Sequence, residues 1–253
     1  METDKREGIV RIEVECKFEF SDHDVERIAT LAEPMGVKEF TDRYFDRIPD
    51  FALTTRDMWL RQRAGRWELK TSVLSVSEQQ RERRARTASG VTPSNVMATQ
   101  YRECEDPREI HDILASLGLI ASSGSKPEDR DQSPDQESEA RELSAALDAG
   151  GIVEFCALTT TRTSFRFRDA LRIDLDVVTP GGYRVGELEM MVRDDAEEIS
   201  NARERIASLA SELGLTIRPS MRGKVLQLIF LERPEHWRLL ETSGLLDAKD
   251  VRV

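Results

Sequence analysis

Hydrophobic and charged residues alternate along much of this chain, a pattern typical of β-strands with one face buried. In Glu13-Val14-Glu15-Cys16-Lys17-Phe18, every second residue is charged and the residues between are apolar. Eight segments are predicted as strands: Ile9–Phe20, Thr41–Arg47, Met58–Ala64, Arg66–Ser72, Met97–Cys104, Gly151–Phe167, Ala170–Val178 and Tyr183–Val192. Gly65 separates the third and fourth segments and indicates a hairpin turn between them.

Apolar residues spaced three and four apart predict helices between the strands. Ser21 and Asp24 resemble a capping box ahead of an apolar stripe that runs from Val25 to Met35 and stops at Gly36. Further helices are predicted from Asp106-Pro107 to Leu117, at about Glu139–Leu147, over Ile199–Leu213, from a cap at Ser220 to Phe230, and over Pro234–Glu241. These amphipathic helices are long enough to cover one face of a sheet.

One polar segment interrupts this pattern. Residues 121–139 are rich in Ser, Pro, Asp and Glu and nearly free of large hydrophobic residues, which is the composition of disordered chain. We interpret the segment as a disordered insertion within a single domain over residues 8–241, followed by a tail at 242–253.

The charged residues of the predicted strands recur two positions apart, so that both members of a pair lie on one face. One such strand alone has the pattern of a solvent-facing surface strand. The pairs, however, recur on several strands with different chemistry: Glu13 and Glu15, Arg61 and Arg63, Glu68 and Lys70, Asp174 and Asp176, Glu187 and Glu189. If the helices cover the apolar face, the charged face turns inward, and a closed sheet of eight strands leaves room for one small ligand.

The chemistry of that inner face fits a metal-bound polyanion. Carboxylates spaced two apart are able to share one Mg²⁺, which prefers oxygen ligands. Arginine forks and lysine ammonium groups bind phosphate oxygens. The pattern therefore favours a lined cavity over five unrelated surface strands.

Composition and charge narrow the classes of function. Lys and Arg total 37 against 48 Asp and Glu, and the net charge of −11 disfavours generic binding of nucleic acid. Cys16, Cys104 and Cys156 form no C-x-x-C pair, so we expect neither a disulfide framework nor a zinc site. Because the first residues, METDKREGIV, lack the apolar core of a signal sequence, a cytoplasmic protein without membrane contact is expected.

The ordered set of charged motifs resembles the CYTH family of triphosphate tunnel metalloenzymes, whose hallmark is a Glu-x-Glu-x-Lys strand near the N-terminus. That strand is Glu13-Val14-Glu15-Cys16-Lys17 here. The other matching motifs are Tyr44-Phe45-Asp46, Trp59-Leu60-Arg61-Gln62-Arg63, Trp67-Glu68-Leu69-Lys70, Tyr101-Arg102-Glu103, Arg162, Asp174-Leu175-Asp176, Glu187-Leu188-Glu189 and Lys224. Within the family, Trp59, the Trp67–Lys70 strand and the tail segment Arg233–Leu240 are most similar to the thiamine triphosphatases of animals.

The resemblance implies roles for individual residues. Metal binding, of Mg²⁺ or alternatively Mn²⁺, is expected of Glu13, Glu15, Asp174, Asp176, Glu187 and Glu189. Substrate binding is expected of Lys17, Trp59, Arg61, Arg63, Lys70, Arg162 and Lys224, and catalytic roles of Lys70, Tyr44 and Glu103. Which acids ligate directly is left open, as is whether Tyr44 and Trp59 contact substrate or only pack.

The function implied by the resemblance is Mg²⁺-dependent hydrolysis of a small triphosphate by a monomeric enzyme, with thiamine triphosphate as the first substrate. An inorganic triphosphatase with the same tunnel is the nearest alternative. An adenylyl cyclase, an RNA 5′-triphosphatase and a non-catalytic polyphosphate-binding module are less favoured. A large excess of acids would weaken simple anion binding unless a metal intervenes, which argues against the last of these.

Overall fold

Eight antiparallel strands form a closed barrel in a computed structural model of the chain. The structure describes residues 11–81, 98–122, 135–168, 171–179, 181–217 and 221–246. The strands are β1 (Arg11–Phe18), β2 (Glu33–Arg47), β3 (Met58–Arg63), β4 (Arg66–Ser72), β5 (Thr99–Cys104), β6 (Ile152–Phe167), β7 (Leu171–Thr179) and β8 (Arg184–Arg193). Their order around the ring is β1-β5-β4-β3-β2-β6-β7-β8, and pairing of β1 with β8 closes it. The predicted α+β class with a closed eight-stranded barrel is confirmed.

Both faces of β1 are buried, which a strand on an open surface sheet would not show. Ile12 and Val14 are fully buried on the outer face, where helices cover them. Glu13 and Glu15 are each only 5% exposed on the opposite face. Since side chains alternate along a strand, the charged face of β1 lies inside the barrel. The inward turn predicted from the charge pattern is therefore present.

The helices pack outside the barrel, as predicted. Those described over their full length are α1 (Asp22–Leu31), α2 (Pro107–Ser116), α3 (Gln136–Ala149), α4 (Ala196–Glu212), α5 (Lys224–Glu232) and α6 (Pro234–Ser243). Ser21 and Asp24 form the predicted capping box of α1, with Asp24 Oδ2 accepting a hydrogen bond from the Ser21 backbone N–H at 2.8 Å. Among the described residues, no helix is both long and apolar enough to cross a membrane.

Three apolar clusters join these helices to the outer face of the barrel. The first includes Ile28 of α1, Ile206 of α4 and residues of β1, β7 and β8. The second joins α2 and α3 to β3 and β4 around Leu114, and the third joins α5 and α6 to β6 around Ile229. Each large buried side chain contributes about 1.5–3 kcal/mol. With the apolar face covered, the polar face is left to line the interior.

A single glycine lets Phe18, a fully buried residue of the first cluster, pack against the neighbouring strand. Gly186 on β8 lies directly opposite Phe18 on β1. A methyl group added at Gly186 would come within 2.2 Å of the Phe18 ring, so any side chain there would displace the ring. This close packing of Phe18 on Gly186 stabilises the pairing of β1 with β8, which closes the barrel.

Some element boundaries differ from the sequence prediction. The helix predicted to run to Met35 ends at Leu31, because β2 begins at Glu33, where Glu33 pairs with Arg166 of β6. Strand pairing thus overrides the helical spacing of the apolar residues. Ser220, predicted as a helix cap, lies outside the described residues, and α5 has Gly223 as its N-cap.

The segment predicted to be disordered is described only at its ends. Residues 123–134 lie outside the described part of the chain. The helix expected at about 139–147 is α3, which begins at Gln136 and is capped by Asp135. Its N-terminal turn therefore falls inside the predicted insertion.

Candidate active site

A cavity of about 410 Å³ occupies the interior of the barrel. Its lining includes residues of β1, β2, β3, β4, β5, β6, β7, β8 and the start of α5: Glu13, Glu15, Lys17, Tyr44, Trp59, Arg61, Arg63, Glu68, Lys70, Thr99, Tyr101, Glu103, Glu105, Arg162, Arg172, Glu187, Glu189, Met221, Gly223, Lys224, Val225 and Leu226. A volume of this size accepts a small-molecule ligand. Of the site residues predicted from the sequence, only Asp174 and Asp176 do not line the cavity; both are fully buried behind it.

The strand register explains why distant residues meet. Ser164 on β6 is opposite Asp174 on β7, which is opposite Glu187 on β8, which in turn is opposite Lys17 on β1. On the other side of the barrel, Trp59, Lys70 and Glu103 form a row across β3, β4 and β5. Directly opposed residues share a face, so each row presents its side chains inward together.

The first group of charges, here called the lysine wall, consists of Glu13 and Glu15 on β1, Lys70 on β4 and Glu103 on β5. Lys70 Nζ donates to Glu13 Oε2, and it lies 2.8 Å from Glu103 Oε1 and 4.0 Å from Glu15 Oε2. Although burial opposes the charge, these carboxylates hold the pKa of Lys70 well above its usual value. Burial and the nearby acids raise the pKa of Glu13 to about 8, against the opposing effect of Lys70.

Lys17 links the lysine wall to β8. Its Nζ lies 2.5 Å from Glu15 Oε1 and 3.2 Å from Glu187 Oε1. Burial alone would raise the pKa of Glu187, but the charges of Lys17, Lys224 and Arg162 hold it well below the usual value. Glu187 is therefore ionised at neutral pH and carries a full negative charge into the cavity.

The second group, the arginine wall, consists of Arg162 and Ser164 on β6 and Arg172, Asp174 and Asp176 on β7. Arg162 makes a two-pronged contact with Asp176, from Nε to Oδ1 and from Nη2 to Oδ2, each at 2.7 Å. Its Nη1 donates to Asp174 Oδ2, and Ser164 Oγ donates to Asp174 Oδ1 at 2.6 Å. The buried acids of this wall thus hold the guanidinium in a fixed orientation at the cavity surface.

Lys224 reaches the arginine wall from outside the sheet. It is the first residue of α5, is 8% exposed, and its Nζ donates to Asp176 Oδ2. Its inward direction, which the sequence pattern of a helix did not indicate, is therefore present. Asp176 is shared between Arg162 and Lys224, so one carboxylate orients two cations.

Three carboxylates form the group best able to hold a metal ion. One oxygen each of Asp174, Glu187 and Glu189 lie within 4.8 Å of one another. Carboxylate oxygens are the ligands that Mg²⁺ and Mn²⁺ take, and a spacing this close brings them around one ion. Burial, together with the charge of Asp174, raises the pKa of Glu189 to about 7. Crowded buried acids of this kind fit a site that a cation neutralises.

The other acids predicted as metal ligands have different neighbours. Glu13 and Glu15 contact the lysines of the lysine wall, and Asp176 contacts Arg162 and Lys224. The three clustered acids also contact cations, Asp174 and Glu187 contacting Arg162 and Glu189 contacting Arg172, so the closeness of their oxygens is what distinguishes them.

Two arginines of β3 face the cavity and are held by acids of neighbouring strands. Arg63 contacts Asp42 of β2 from both Nε, at 2.5 Å, and Nη2, at 2.7 Å, while Arg61 lies 2.5 Å from Glu68 Oε1. Burial raises the pKa of Tyr44, which lies beside Arg61, to about 12. Tyr44 therefore keeps its proton at neutral pH and is able to donate a hydrogen bond into the cavity.

Sequence reasoning missed several members of the site. Glu68 is predicted on the inward face but without a role, and Asp42 and Arg172 are not predicted at all. Asp42 and Arg172 nevertheless lie two positions from Tyr44 and Asp174, on the same strand faces. That spacing was the available signal. Ser164 gives no such signal, because a serine within a run of threonines looks like any strand residue.

Comparisons with known proteins agree with this geometry. The sequence model of the CYTH domain matches residues 11–217. The thiamine-triphosphatases of Macaca fascicularis and Homo sapiens are each 28% identical to this chain, over 245 and 244 residues, covering 92% of this chain and 91% of theirs.

A solved structure shares the fold. The PH1819 protein from Pyrococcus horikoshii OT3 superposes with a TM-score of 0.51 at 17% identity, covering 87% of this chain and 99% of that one. At this identity the likeness shows the common architecture of the barrel and its helices.

Proposed function

This chain belongs to the CYTH family, and we propose that it is a hydrolase that releases the terminal phosphate of a small triphosphate, with thiamine triphosphate as the preferred substrate. The observation that carries the proposal is the cavity, whose lysine and arginine side chains surround Glu187 and Glu189 on the lining, with Asp174 clustered directly behind these two acids. The similarity to thiamine-triphosphatases over nine-tenths of both chains supports this choice of substrate.

Asp174, Glu187 and Glu189 would hold Mg²⁺, with Mn²⁺ as an alternative. A bound ion of this kind supplies neutralisation of charge on the phosphate oxygens. Glu13, Glu15 and Asp176, the remaining acids of the predicted metal set, contribute by holding Lys70, Lys17, Arg162 and Lys224 in place.

The cations of the cavity bind the triphosphate. Arg162, Arg61 and Arg63 supply forked donors, and Lys17, Lys70 and Lys224 supply point charges on the lining from opposite sides. A chain of three phosphates carries charge along its whole length, so contacts from all sides position it along the tunnel. Positioning and charge stabilisation supply most of the catalysis in phosphoryl transfer.

The reaction is an in-line attack by water. The water oxygen forms a bond to the terminal phosphorus while the bond from that phosphorus to the bridging oxygen breaks, leaving a diphosphate. Lys70 and Tyr44 donate hydrogen bonds to the oxygens on which charge develops. Glu103, held 2.8 Å from Lys70, orients the water and accepts its hydrogen bond.

Trp59 supplies a preference for the thiamine ester. An indole face attracts a cation such as thiazolium by about 1–2 kcal/mol when the site is partly dry. We expect Trp59→Ala to lower kcat/KM for thiamine triphosphate about tenfold more than kcat/KM for inorganic tripolyphosphate. Equal losses with both substrates would show that Trp59 only packs at the cavity, and a higher wild-type kcat/KM for tripolyphosphate would favour an inorganic triphosphatase.

A further inference from the structure

Asp57 is a buried carboxylate in an unusual backbone conformation next to the cavity. It follows a short 3₁₀ helix, Thr54–Arg56, and directly precedes β3. Its φ of 59° lies in the left-handed region, where Asp and Asn are tolerated better than other residues with a side chain. It is 4% exposed, so its side chain needs hydrogen-bond partners within the protein.

Those partners are the polar edges of two aromatic residues and one amide. Trp59 Nε1 donates to Asp57 Oδ1 at 2.9 Å, and the Tyr101 hydroxyl donates to the same oxygen at 3.2 Å. Gln79 Nε2 donates to Oδ2 at 2.7 Å and also to the Ser72 hydroxyl at 3.0 Å. Across the described ranges, every hydrogen bond to this carboxylate comes from a neutral donor.

Trp59 and Tyr101 both line the cavity, although they come from β3 and β5, with β4 between them. Asp57 holds both by a single oxygen atom. Such a shared acceptor restricts rotation of the two rings, because turning either one breaks a hydrogen bond to a buried charge. The aromatic part of the lining is thereby preorganised.

The charge of Asp57 also changes the rings electronically. A carboxylate that accepts a hydrogen bond from an indole N–H or a phenol O–H increases electron density on the ring. An electron-rich ring face binds a cation more strongly, and a nearby anion adds direct attraction. The same anion repels an additional phosphate, so it favours a substrate with a cationic organic group at this end.

We propose that Asp57 is a positioning residue that fixes Trp59 and Tyr101 as a binding wall for the cationic ring of a triphosphate ester. The inference rests on the proposed function for the identity of the ester, and it extends that function by naming how the ring is recognised. Asp57 itself acts through the two aromatic residues.

The test compares binding of two diphosphates that differ only in the ring-bearing group. Calorimetry on the full chain with Mg²⁺ measures Kd for thiamine diphosphate and for pyrophosphate. The expected result is that the wild-type protein prefers thiamine diphosphate, and that Asp57→Asn lowers this preference about tenfold. Asn suits the left-handed conformation, so the fold is retained. Asp50→Asn, at an exposed carboxylate of the preceding loop, is the matched control and leaves the preference unchanged.

A second pair of variants tests the same claim without changing Asp57. Trp59→Phe and Tyr101→Phe keep an aromatic ring but remove the donors to Asp57, so each lowers the preference in the wild-type background. In the Asp57→Asn background they add little, since the negative charge of the shared acceptor, which the two donors bind, is already lost. Full additivity of the losses overturns the proposal, as does an unchanged preference in Asp57→Asn or no preference in the wild-type protein.

Hydrolysis is measured separately, so that failure of the role of Asp57 is distinguished from failure of the proposed hydrolase function. Release of phosphate from thiamine triphosphate with an unchanged binding preference in Asp57→Asn overturns the role of Asp57 and leaves the proposed function standing. A preference that depends on Asp57 without any release of phosphate overturns the hydrolase and leaves the ring-binding wall standing.

Discussion

The lysine wall and the arginine wall carry acids at the same spacing of two residues, yet they differ in depth. Glu13 and Glu15 line the cavity, whereas Asp174 and Asp176 are fully buried behind it. In the arginine wall each acid is bound by a guanidinium, a hydroxyl or a lysine of the chain itself. In the lysine wall Glu13, Glu15 and Glu103 all lie within 4.0 Å of one lysine, Lys70.

This difference in depth separates residues that support the fold from residues that act on the ligand. A buried acid with fully matched partners orients the cations and supports the fold, and removing it leaves charges unpaired. A residue at the cavity surface acts on the ligand, and removing it changes binding or rate. The same sequence pattern therefore places acids behind the cavity on one side and at its surface on the other, and of the two buried acids Asp176 is the one outside the proposed metal group.

The largest expected effect is on stability, at the arginine wall. Asp176→Asn removes the charge that Arg162 and Lys224 share, and all three residues are nearly inaccessible to water. We expect the free energy of unfolding to fall by about 3 kcal/mol or more, because the buried Lys224 loses the carboxylate it contacts and Arg162 keeps only Asp174 and Glu187. Urea denaturation without triphosphate in the buffer measures this loss.

A matched control for this variant is Asp194→Asn, which breaks the exposed pair with Arg102. Exposed pairs contribute little, so the expected loss is below about 1 kcal/mol. Equal losses in the two variants would contradict the assignment of Asp176 to the scaffold.

The next effect is on rate, at the lysine wall. Lys70→Ala removes a cation that lines the cavity and contacts Glu13 and Glu103. Loss of a single group that stabilises transition-state charge lowers kcat by about 10² to 10³. Because the acids left behind line the cavity and are not sealed behind it, we expect a smaller change in stability than in Asp176→Asn. Steady-state kinetics and urea denaturation on the same preparation separate the two effects.

Arg43→Ala provides the control for Lys70, since Arg43 is an exposed cation of β2 that pairs with Glu154 on the outer surface. The kcat of the Arg43→Ala variant is expected to match that of the wild-type protein. A folded Lys70→Ala variant with full triphosphatase activity would remove Lys70 from the catalytic residues.

The smallest effect is expected at Ser164, a neutral member of the arginine wall. Its hydroxyl donates to Asp174 at 2.6 Å, and Arg162 and Arg172 also bind this carboxylate. Ser164→Ala should lower the free energy of unfolding by about 1 kcal/mol, the usual net contribution of one hydrogen bond. Thr41→Ala, which removes an exposed hydroxyl contact with Thr159, is expected to cost less. A larger loss at Thr41 would contradict the ranking.

Much of the barrel could be predicted because its strands alternate so regularly. The period of two in β1, β3, β7 and β8 identified both the strands and the charged face, and the apolar stripe of α4 indicated what covers the other face. Burial of Glu13 and Asp174 on the inner face confirms that reasoning. The depth of each acid relative to the cavity could not be predicted, because acids at the cavity surface and acids behind it have the same spacing in sequence.

The pairing of strands that are far apart in sequence set the other limits on prediction. Met35 was assigned to a helix by local spacing, but pairing with β6 extends β2 back to Glu33. Asp57 gave no signal at all, since its role depends on a left-handed turn and on partners 2 to 44 positions away in sequence. Contacts of this kind follow from the closed barrel rather than from any local pattern.

Phosphate release by the full chain from thiamine triphosphate, inorganic tripolyphosphate and ATP, measured with Mg²⁺ and again with excess EDTA, tests the central claim most directly. The account predicts release that is fastest from thiamine triphosphate, is abolished by EDTA and returns when Mg²⁺ is restored. Tight binding of these compounds with no release in the presence of Mg²⁺, or release that EDTA leaves unchanged, would contradict it.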